Sequence, residues 1–437
     1  MQLDNNSFAA ALSIAACSLL SGNAQAQTPE VTEPGWQFES AVMYYGETDR
    51  VQALEGIFSA KKSFEDQKLL NLKLTVDTLT GASANGAIAQ SEVQTFTRPS
   101  GNGYYQISSG ETPLDDTFRD TRVQFNGQWT QPLSRLYTVS GGIHLSNEYD
   151  YLSLGVNASI ARDFNNRNTT LSTGFSLSND TITPEGGIPL ALADMPNYSQ
   201  GKFEQDGWGS EATNAQYLAT RSRDSDDKTT IDFLFGITQV INKNLITQLN
   251  YSYSQVDGYM TDPFKVTSIV DSEGITRRNI YESRPDSRQK NSVFAQAKYS
   301  LGESVVDISY RYLWDDWQVK SNTIDFRYWL PFDYGGYIEP HVRYYEQEAA
   351  DFYKPLQLES DQIPEFVSSD YRIGDMTATT LGVKYGHPNN DGTEWAVRAE
   401  WYHQTSNDVG VALPGLLTAD DVYSDVDAVI LQFSYKF

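Results

Sequence analysis

The sequence predicts an all-β fold: a transmembrane antiparallel β-barrel of about sixteen strands, with short periplasmic turns and long, acidic extracellular loops. Three observations lead there. The final residues, Leu431-Gln-Phe433-Ser-Tyr435-Lys-Phe437, alternate apolar and polar and stop on an aromatic carboxy terminus, as the closing strand of an outer-membrane barrel does. The 437 residues include 27 Tyr, 20 Phe and 8 Trp at a mean hydropathy of −0.47, and no run of about 18 apolar residues could cross a bilayer as a helix. A barrel hides its lipid face from such averages, because only every second strand residue meets lipid. Lastly, period-two alternation, expected of a ribbon oiled on one face and wetted on the other, recurs along most of the chain.

Taken in order, the chain opens with Phe8 to Leu20, an apolar stretch too short to span, followed by Ala24-Gln25-Ala26. Residues 1–26 therefore read as a signal peptide cleaved before Gln27, although the segment ahead of the apolar stretch carries Asp4 and no Lys or Arg. Ile14-Ala-Ala-Cys17 resembles a lipobox, but apolar residues continue past Cys17 and the A-x-A site follows. Cys17 is the only cysteine, so cleavage leaves a mature chain without disulfides, thiolate metal sites or a Cys nucleophile. Residues 27–35 form a short periplasmic segment, too brief for the plug of an energised siderophore receptor, and residues 36–437 form the barrel.

Two weaker strands, near Trp36 to Thr48 and Val51 to Lys61, start it. The alternation is then explicit: Leu70, Leu72, Leu74 and Val76; Val123, Phe125, Gly127 and Trp129; Tyr137 to Leu145; Leu152 to Ile160; Leu171 to Leu177; Ile231 to Ile237. It continues through Leu249 to Tyr253, Val293 to Tyr299, Val306 to Trp314, Ile324 to Leu330, Ile338 to Tyr344, Leu381 to Tyr385, Trp395 to Trp401 and Val429 to Phe437. Connection lengths check the count. Every second connection is brief and carries Pro, Gly, Asn or Asp, near 63–67, 131–134, 163–168, 241–244, 301–303, 331–336 and 387–392. The long segments, 79–117, 179–228, 257–288, 347–375 and 404–425, all fall on the opposite side, with tight links at 47–49, 147–150 and 315–316. A soluble β-sandwich or solenoid has no reason to sort its loops this way. Tyr44, Trp129, Tyr137, Trp314, Trp317, Tyr328, Trp329, Trp395 and Trp401, near strand ends, are expected to face lipid as girdles at the two interfaces.

Alternation also assigns the lumen. Lys73, Asp77, Arg122, Asp307, Arg311, Glu339, His341, Arg343, Glu394, Arg398 and Glu400 face inward, and Glu339, His341 and Arg343 share one stripe of a single strand. Their bland role is solvation and wall salt bridges; their functional role is selectivity or solute contact. Leu431, Phe433, Tyr435 and Phe437 form the insertion signal read by barrel-assembly machinery. The formal charge of −25 gathers in the outer loops and repels nucleic acid; the expected partners are outer-membrane lipids and lipopolysaccharide, whose phosphates divalent cations bridge to acidic groups. Loop carboxylates could bind Ca²⁺ or Mg²⁺, yet Asp224-Ser-Asp226-Asp227 lacks the spacing of a calcium loop; no metal site and no cofactor are predicted. The third outer connection is only 147–150, so a constriction is expected from the second loop or the fourth.

Several segments carry a family resemblance: Val42-Met-Tyr-Tyr-Gly-Glu-Thr-Asp-Arg-Val51, Gln94-Thr-Phe-Thr-Arg-Pro-Ser100, Pro113-Leu-Asp-Asp-Thr-Phe-Arg-Asp-Thr-Arg122, Glu148-Tyr-Asp-Tyr-Leu-Ser-Leu-Gly155 and Tyr337-Ile-Glu-Pro-His-Val-Arg-Tyr-Tyr345. With Asp77-Thr-Leu-Thr-Gly-Ala-Ser83, they resemble the domain-of-unknown-function 3570 family of proteobacterial outer-membrane proteins. The resemblance spans essentially the mature chain and implies the outer membrane of a Gram-negative bacterium, with a small lipoprotein as a partner; it brings no catalytic motif. The expected role is a porin-like channel or transporter for small solutes. One alternative is an anchor or scaffold whose outer loops bind a partner. Another is an outer-membrane lipolytic enzyme: His144-Leu-Ser146-Asn147 is similar to the His-x-Ser-Asn cluster of outer-membrane phospholipase A, and period two puts His144 and Ser146 on one face. That face is lumenal here, no G-x-S-x-G elbow is present, and none of the four histidines has H-E-x-x-H spacing.

Overall fold

Sixteen strands close on themselves in a computed structural model that describes residues 34–196, 211–407, 410–423 and 425–437, with backbone alone for 116–118 and 211–214. The signal peptide and most of the 27–35 segment lie outside the described residues. In chain order the strands are β1 (Gly35–Glu47), β2 (Val51–Ser63), β3 (Leu69–Ala84), β4 (Gln94–Thr97), β5 (Tyr104–Ile107), β6 (Leu114–Pro132), β7 (Tyr137–Asn147), β8 (Tyr151–Phe164), β9 (Thr169–Ile182), β10 (Ile188–Pro189), β11 (Arg221–Arg223) and β12 (Asp226–Asn242). They continue as β13 (Leu245–Gly258), β14 (Val266–Val270), β15 (Thr276–Tyr281), β16 (Ser287–Leu301), β17 (Ser304–Asp315), β18 (Lys320–Pro331), β19 (Tyr337–Glu348), β20 (Gln357–Leu358), β21 (Met376–Pro388), β22 (Glu394–Ser406) and β23 (Val426–Lys436).

All but β4, β5, β10, β11, β14, β15 and β20 belong to the barrel, each pairing antiparallel with its neighbour. Each expected strand is present. Closure is made by β1 against β23, where Phe38 and Phe437 exchange backbone hydrogen bonds of 2.8 Å in both directions. Their rings stack at 5.5 Å, so the terminal aromatic both completes the ladder and seals the seam against lipid. The expected lipid face is the exposed one: Leu74, Val76, Leu154, Val156, Phe233, Phe235, Leu381, Val383, Leu431 and Phe433 are all exposed. In water such a belt would aggregate, whereas hydrocarbon tolerates it because every strand has a partner on both sides and no edge is left.

The seven turns at one rim are two to five residues long. Of the two tightest, 243–244 and 302–303, the second needs Gly302 at φ +78° to reverse the chain, and open space surrounds it. Two expected girdle residues do otherwise. Trp317 is 4% exposed, packed edge-on against Phe352 at 5.0 Å; it belongs to an outer loop whose core competes with lipid for the ring. Trp329 shares its face of β18 with Asp325 and Arg327 and packs on Tyr337 at 5.6 Å, because parity, not nearness to a rim, decides which way a strand residue points.

The outer loops form a cap with its own core. The β4–β5 hairpin of the second loop packs Phe96 and Tyr105 against Val266 and Tyr281 of the fifth. β14 lies between β15 and, in parallel, β20 of the seventh loop. Backbone bonds tie the loops together: Val266 N–H to Asn85 O at 2.8 Å, Met195 N–H to Asn279 O at 2.8 Å, Glu359 N–H to Val270 O at 2.7 Å, Asp351 N–H to Trp317 O at 3.0 Å and Ala89 N–H to Asp421 O at 2.9 Å. These loops leave the cylinder at points spread around it, between β3 and β6, β9 and β12, β13 and β16, β19 and β21, and β22 and β23. A core shared among them must lie across the outer mouth. Among the described residues the cap core is centred on the fifth and seventh loops, with the second contributing its hairpin and the fourth Leu192, Ala193 and Met195; the expected constriction by the fourth loop falls partly on residues 197–210, outside the described residues. All five residues of β14, Thr267 and Ser268 among them, are buried.

Candidate functional site: the capped lumen

The lumenal wall from β17 to β23 is charged, and register fixes who meets whom. His341 on β19 faces Arg327 of β18 on one side and Gly382 of β21 on the other, and Gly382 in turn faces Glu400 of β22. His341 joins Asp325 through Nε2 at 2.9 Å and Glu400 through Nδ1 at 2.9 Å. The second bond spans a whole strand. It is possible because Gly382 has no side chain: a Cβ there would stand 2.5 Å from Glu400 Cγ. Arg327 Nε lies 3.2 Å from Asp325 and Arg398 3.7 Å from Glu400, while Arg398 also bonds Gln432 of β23.

Below this layer, toward the short-turn rim, is a groove of about 190 Å³ whose walls include Glu39, Arg327, Glu339, Lys384, Arg398 and Gln432. Above it, Arg311 lies over the Phe294 ring at 5.4 Å, and Arg343 stands across from Asp325 in register. Asp307 is taken up by Gln296 at 2.7 Å and Lys298 at 3.2 Å. The lumenal residues picked out by alternation, Asp307, Arg311, Glu339, His341, Arg343, Arg398 and Glu400, therefore face one another on adjoining strands. Asp325, Arg327, Gly382, Lys384 and Gln432 were not singled out, although Asp325 and Arg327 alternate with Ile324 and Phe326 and the same rule reaches them. Gly382 carries no sequence signal at all, since its role exists only in the register.

On the far wall Arg122 bonds Asp77 at 2.8 Å and lies 3.9 Å from Glu55. His144 and Ser146 do face inward, but the His144 Nδ1 contact is with Asn126, at 2.8 Å; no hydrogen bond joins His144 to Ser146 among the described residues. Nearby, carboxylate oxygens of Asp120, Glu148 and Asp150 approach one another within 4.8 Å. Burial, together with the hydrogen bond and charge of Asp120, pushes the Glu148 carboxyl up to about 8. Burial and Asp120 push Asp150 up to about 6. The cluster thus holds protons near neutrality.

The cap meets the wall through a finger of the seventh loop. Asp370 accepts from Arg372 N–H at 3.1 Å and starts a single 3₁₀ turn, Tyr371–Ile373. Gln347, a buried lumenal residue at the outer end of β19, donates to Arg372 O at 3.0 Å and Gly374 O at 2.7 Å, and accepts from Tyr345 at 2.6 Å. Arg50 lies over the Tyr371 ring at 6.0 Å. Behind the finger is a buried ionic network: Arg284 to Glu282 at 2.6 Å and to Asp370 at 2.7 Å, and Arg372 to Asp370 at 2.5 Å and to Asp262 at 2.6 Å. Lys265 donates to Ala84 O and adds a third cation to face the three acids.

A closed, lipid-belted barrel with a charged lumen and a folded cap defines a transmembrane β-barrel of the outer-membrane type. The chain belongs to the DUF3570 family, described as a protein of unknown function, whose profile matches residues 9–437. No curated protein matches it. Among solved structures it is similar to a bacterial polysaccharide outer membrane secretin, at 10% identity over 92% of this chain and 98% of that one, with a TM-score of 0.42. It is similar also to Pseudomonas aeruginosa OccK2, at 8% identity over 93% and 98% with a TM-score of 0.39. The Pseudomonas putida toluene transporter TodX matches at 9% over 96% and 93%, with a TM-score of 0.38. None of these likenesses specifies a solute or a mechanism for this chain.

Proposed function

We propose that this protein is a gated, porin-like channel for small solutes in the outer membrane of a Gram-negative bacterium, exported behind its signal peptide and surrounded by lipid and lipopolysaccharide. The observation that carries the reading is the lumen itself: charged side chains with open space between them run along β17 to β23 beneath a cap that rests on the wall at Gln347. A barrel serving only as an anchor has no need of a charged, partly vacant interior, which apolar packing would fill more stably. The lipolytic alternative needs Ser146 to pass its proton to His144, whose Nδ1 is engaged by Asn126.

Single-channel recording of the refolded full chain in a planar bilayer tests the proposal. Discrete current steps are expected, and Gln347→Ala, which releases the finger, raises the open fraction. A second reading is favoured by the cap: outer loops packed on one another through buried apolar clusters make a folded outer surface suited to a partner such as a small lipoprotein. Absence of steps in both wild type and Gln347→Ala would leave that reading standing alone.

A further inference from the structure

Register arranges the lumenal cations of β17 to β22 as a descending series. Arg311 is level with Thr323 and Tyr345; Arg343, two residues below Tyr345, is level with Asp325; Arg327 is level with His341; Lys384 and Arg398 are level with Glu339. Two residues of strand advance about 7 Å, so a cation stands at each step from below the cap to the groove near the short-turn rim.

The acids on the same wall are occupied differently. Asp325 and Glu400 are bonded to His341, Asp307 to Lys298 and Gln296, and Glu394 accepts from Tyr337 at 2.7 Å. Arg311, Arg343 and Lys384 have no carboxylate within 4 Å among the described residues, and Arg311 and Arg343 are exposed to the lumen. The acids that lack such a bond, Glu39 and Glu339, both lie in the lower groove. The upper half of this wall therefore offers two guanidinium groups that no carboxylate holds, the nearest acid in register, Asp325 across from Arg343, being itself bonded to His341. Low-dielectric walls focus such a field, and at physiological salt the acidic outer loops are screened over about 8 Å.

We propose that this wall is a stepped path for small oxyanions, solutes bearing a carboxylate or phosphate, first engaged by Arg311 and Arg343 beneath the cap and passed to Arg327 and the lower groove. Guanidinium suits the role because its planar donors match the two oxygens of a carboxylate or phosphate. The next cation one step below lets a bound anion move on without a gap. The assignment rests on the channel reading above and adds its solute class.

The test is the reversal potential of the full chain in a planar bilayer under a KCl gradient, with inorganic phosphate then added as a competing anion. Wild type is expected to favour chloride over potassium, and phosphate to reduce the chloride current. Arg311→Gln with Arg343→Gln lowers the chloride-to-potassium permeability ratio at least roughly five-fold, about what either one of the two solvated unit charges contributes at contact distance, and removes the phosphate effect. Should that pair fail to fold, Thr323→Glu, which adds an acid between them without removing either, lowers the same ratio, whereas His403→Gln on the outer face does not. A potassium-selective wild type, or a ratio unmoved by these changes, overturns the oxyanion path and leaves the channel standing. An absence of current overturns both.

Discussion

Replacing Arg284 by Met isolates what the buried ionic network does for the cap. Glu282 and Asp370 have fully buried side chains, and Arg284 reaches both at 2.6 and 2.7 Å while itself only 8% exposed. Removing one partner of a buried pair strands the other charge and costs about 3–5 kcal/mol. Here two carboxylates lose a cation, but Arg372 remains on Asp370, which places the loss near the lower end. The barrel, held by sixteen ladders, does not share it. The expected result is a cap that becomes sensitive to limited proteolysis within 259–286 and 349–375 while heat-modifiable migration of the barrel on gels is unchanged.

Acid should act on the same network. Burial pushes the Asp370 carboxyl up, but Arg372, Arg284 and Lys265 outweigh it and hold it well below its ordinary value of 3.8. A carboxyl depressed in the folded state contributes stability that is present above its unfolded value and lost as pH falls through the folded one. The contribution of Asp370 is therefore constant from neutral pH down to about 4 and fails only below, while Glu282, whose carboxyl burial pushes up, loses nothing as the pH falls. In Arg284→Met the failure begins at higher pH, because one of the depressing charges has gone. Equal protease sensitivity of variant and wild type at pH 7 and at pH 4 would refute the reasoning, and would mean that apolar packing of β14 alone keeps the cap closed.

Three further outcomes are expected. Gly382→Ala puts a Cβ 2.5 Å from Glu400 Cγ, so the Glu400–His341 bond breaks; the barrel loses about 1–3 kcal/mol in detergent denaturation, and Gly382→Ala with Glu400→Ala recovers part of it. Because the Glu148 carboxyl is raised to about 8, its folded form holds a proton more tightly than the unfolded chain does, and its contribution declines as pH climbs from about 4.5 to 8; Glu148→Gln therefore raises the melting midpoint at pH 9 and leaves it unchanged at pH 4. Deleting Phe437 removes both 2.8 Å bonds to Phe38 and its ring stack; the yield of heat-modifiable barrel in a refolding assay should drop several-fold, and full yield would count against the seam argument.

How much of this was legible in the sequence divides by element. Alternation alone placed Leu154 and Val156 in lipid and Glu339, His341 and Arg343 in the lumen, because a strand's side chains have nowhere to point but its two faces. Loop lengths fixed the strand count, since short and long connections must fall on opposite rims. Trp329 shows the limit of composition: a tryptophan near a rim suggested a girdle, and parity turned it inward. Trp317 and the five buried residues of β14 lay in stretches with no period, so their core could not be foreseen.

What the sequence determined, then, is everything set by nearest neighbours along the chain: strand, face, turn and the aromatic terminus that closes the seam. Tertiary structure decided what depends on neighbours across space. Only the register brings His341 to Glu400 over Gly382 and sets Arg311, Arg343 and Arg327 at successive steps, and only closure of the cylinder brings loops more than a hundred residues apart to one core. The physical reason is that alternation is local while register and loop packing are collective, fixed when all sixteen strands are satisfied at once.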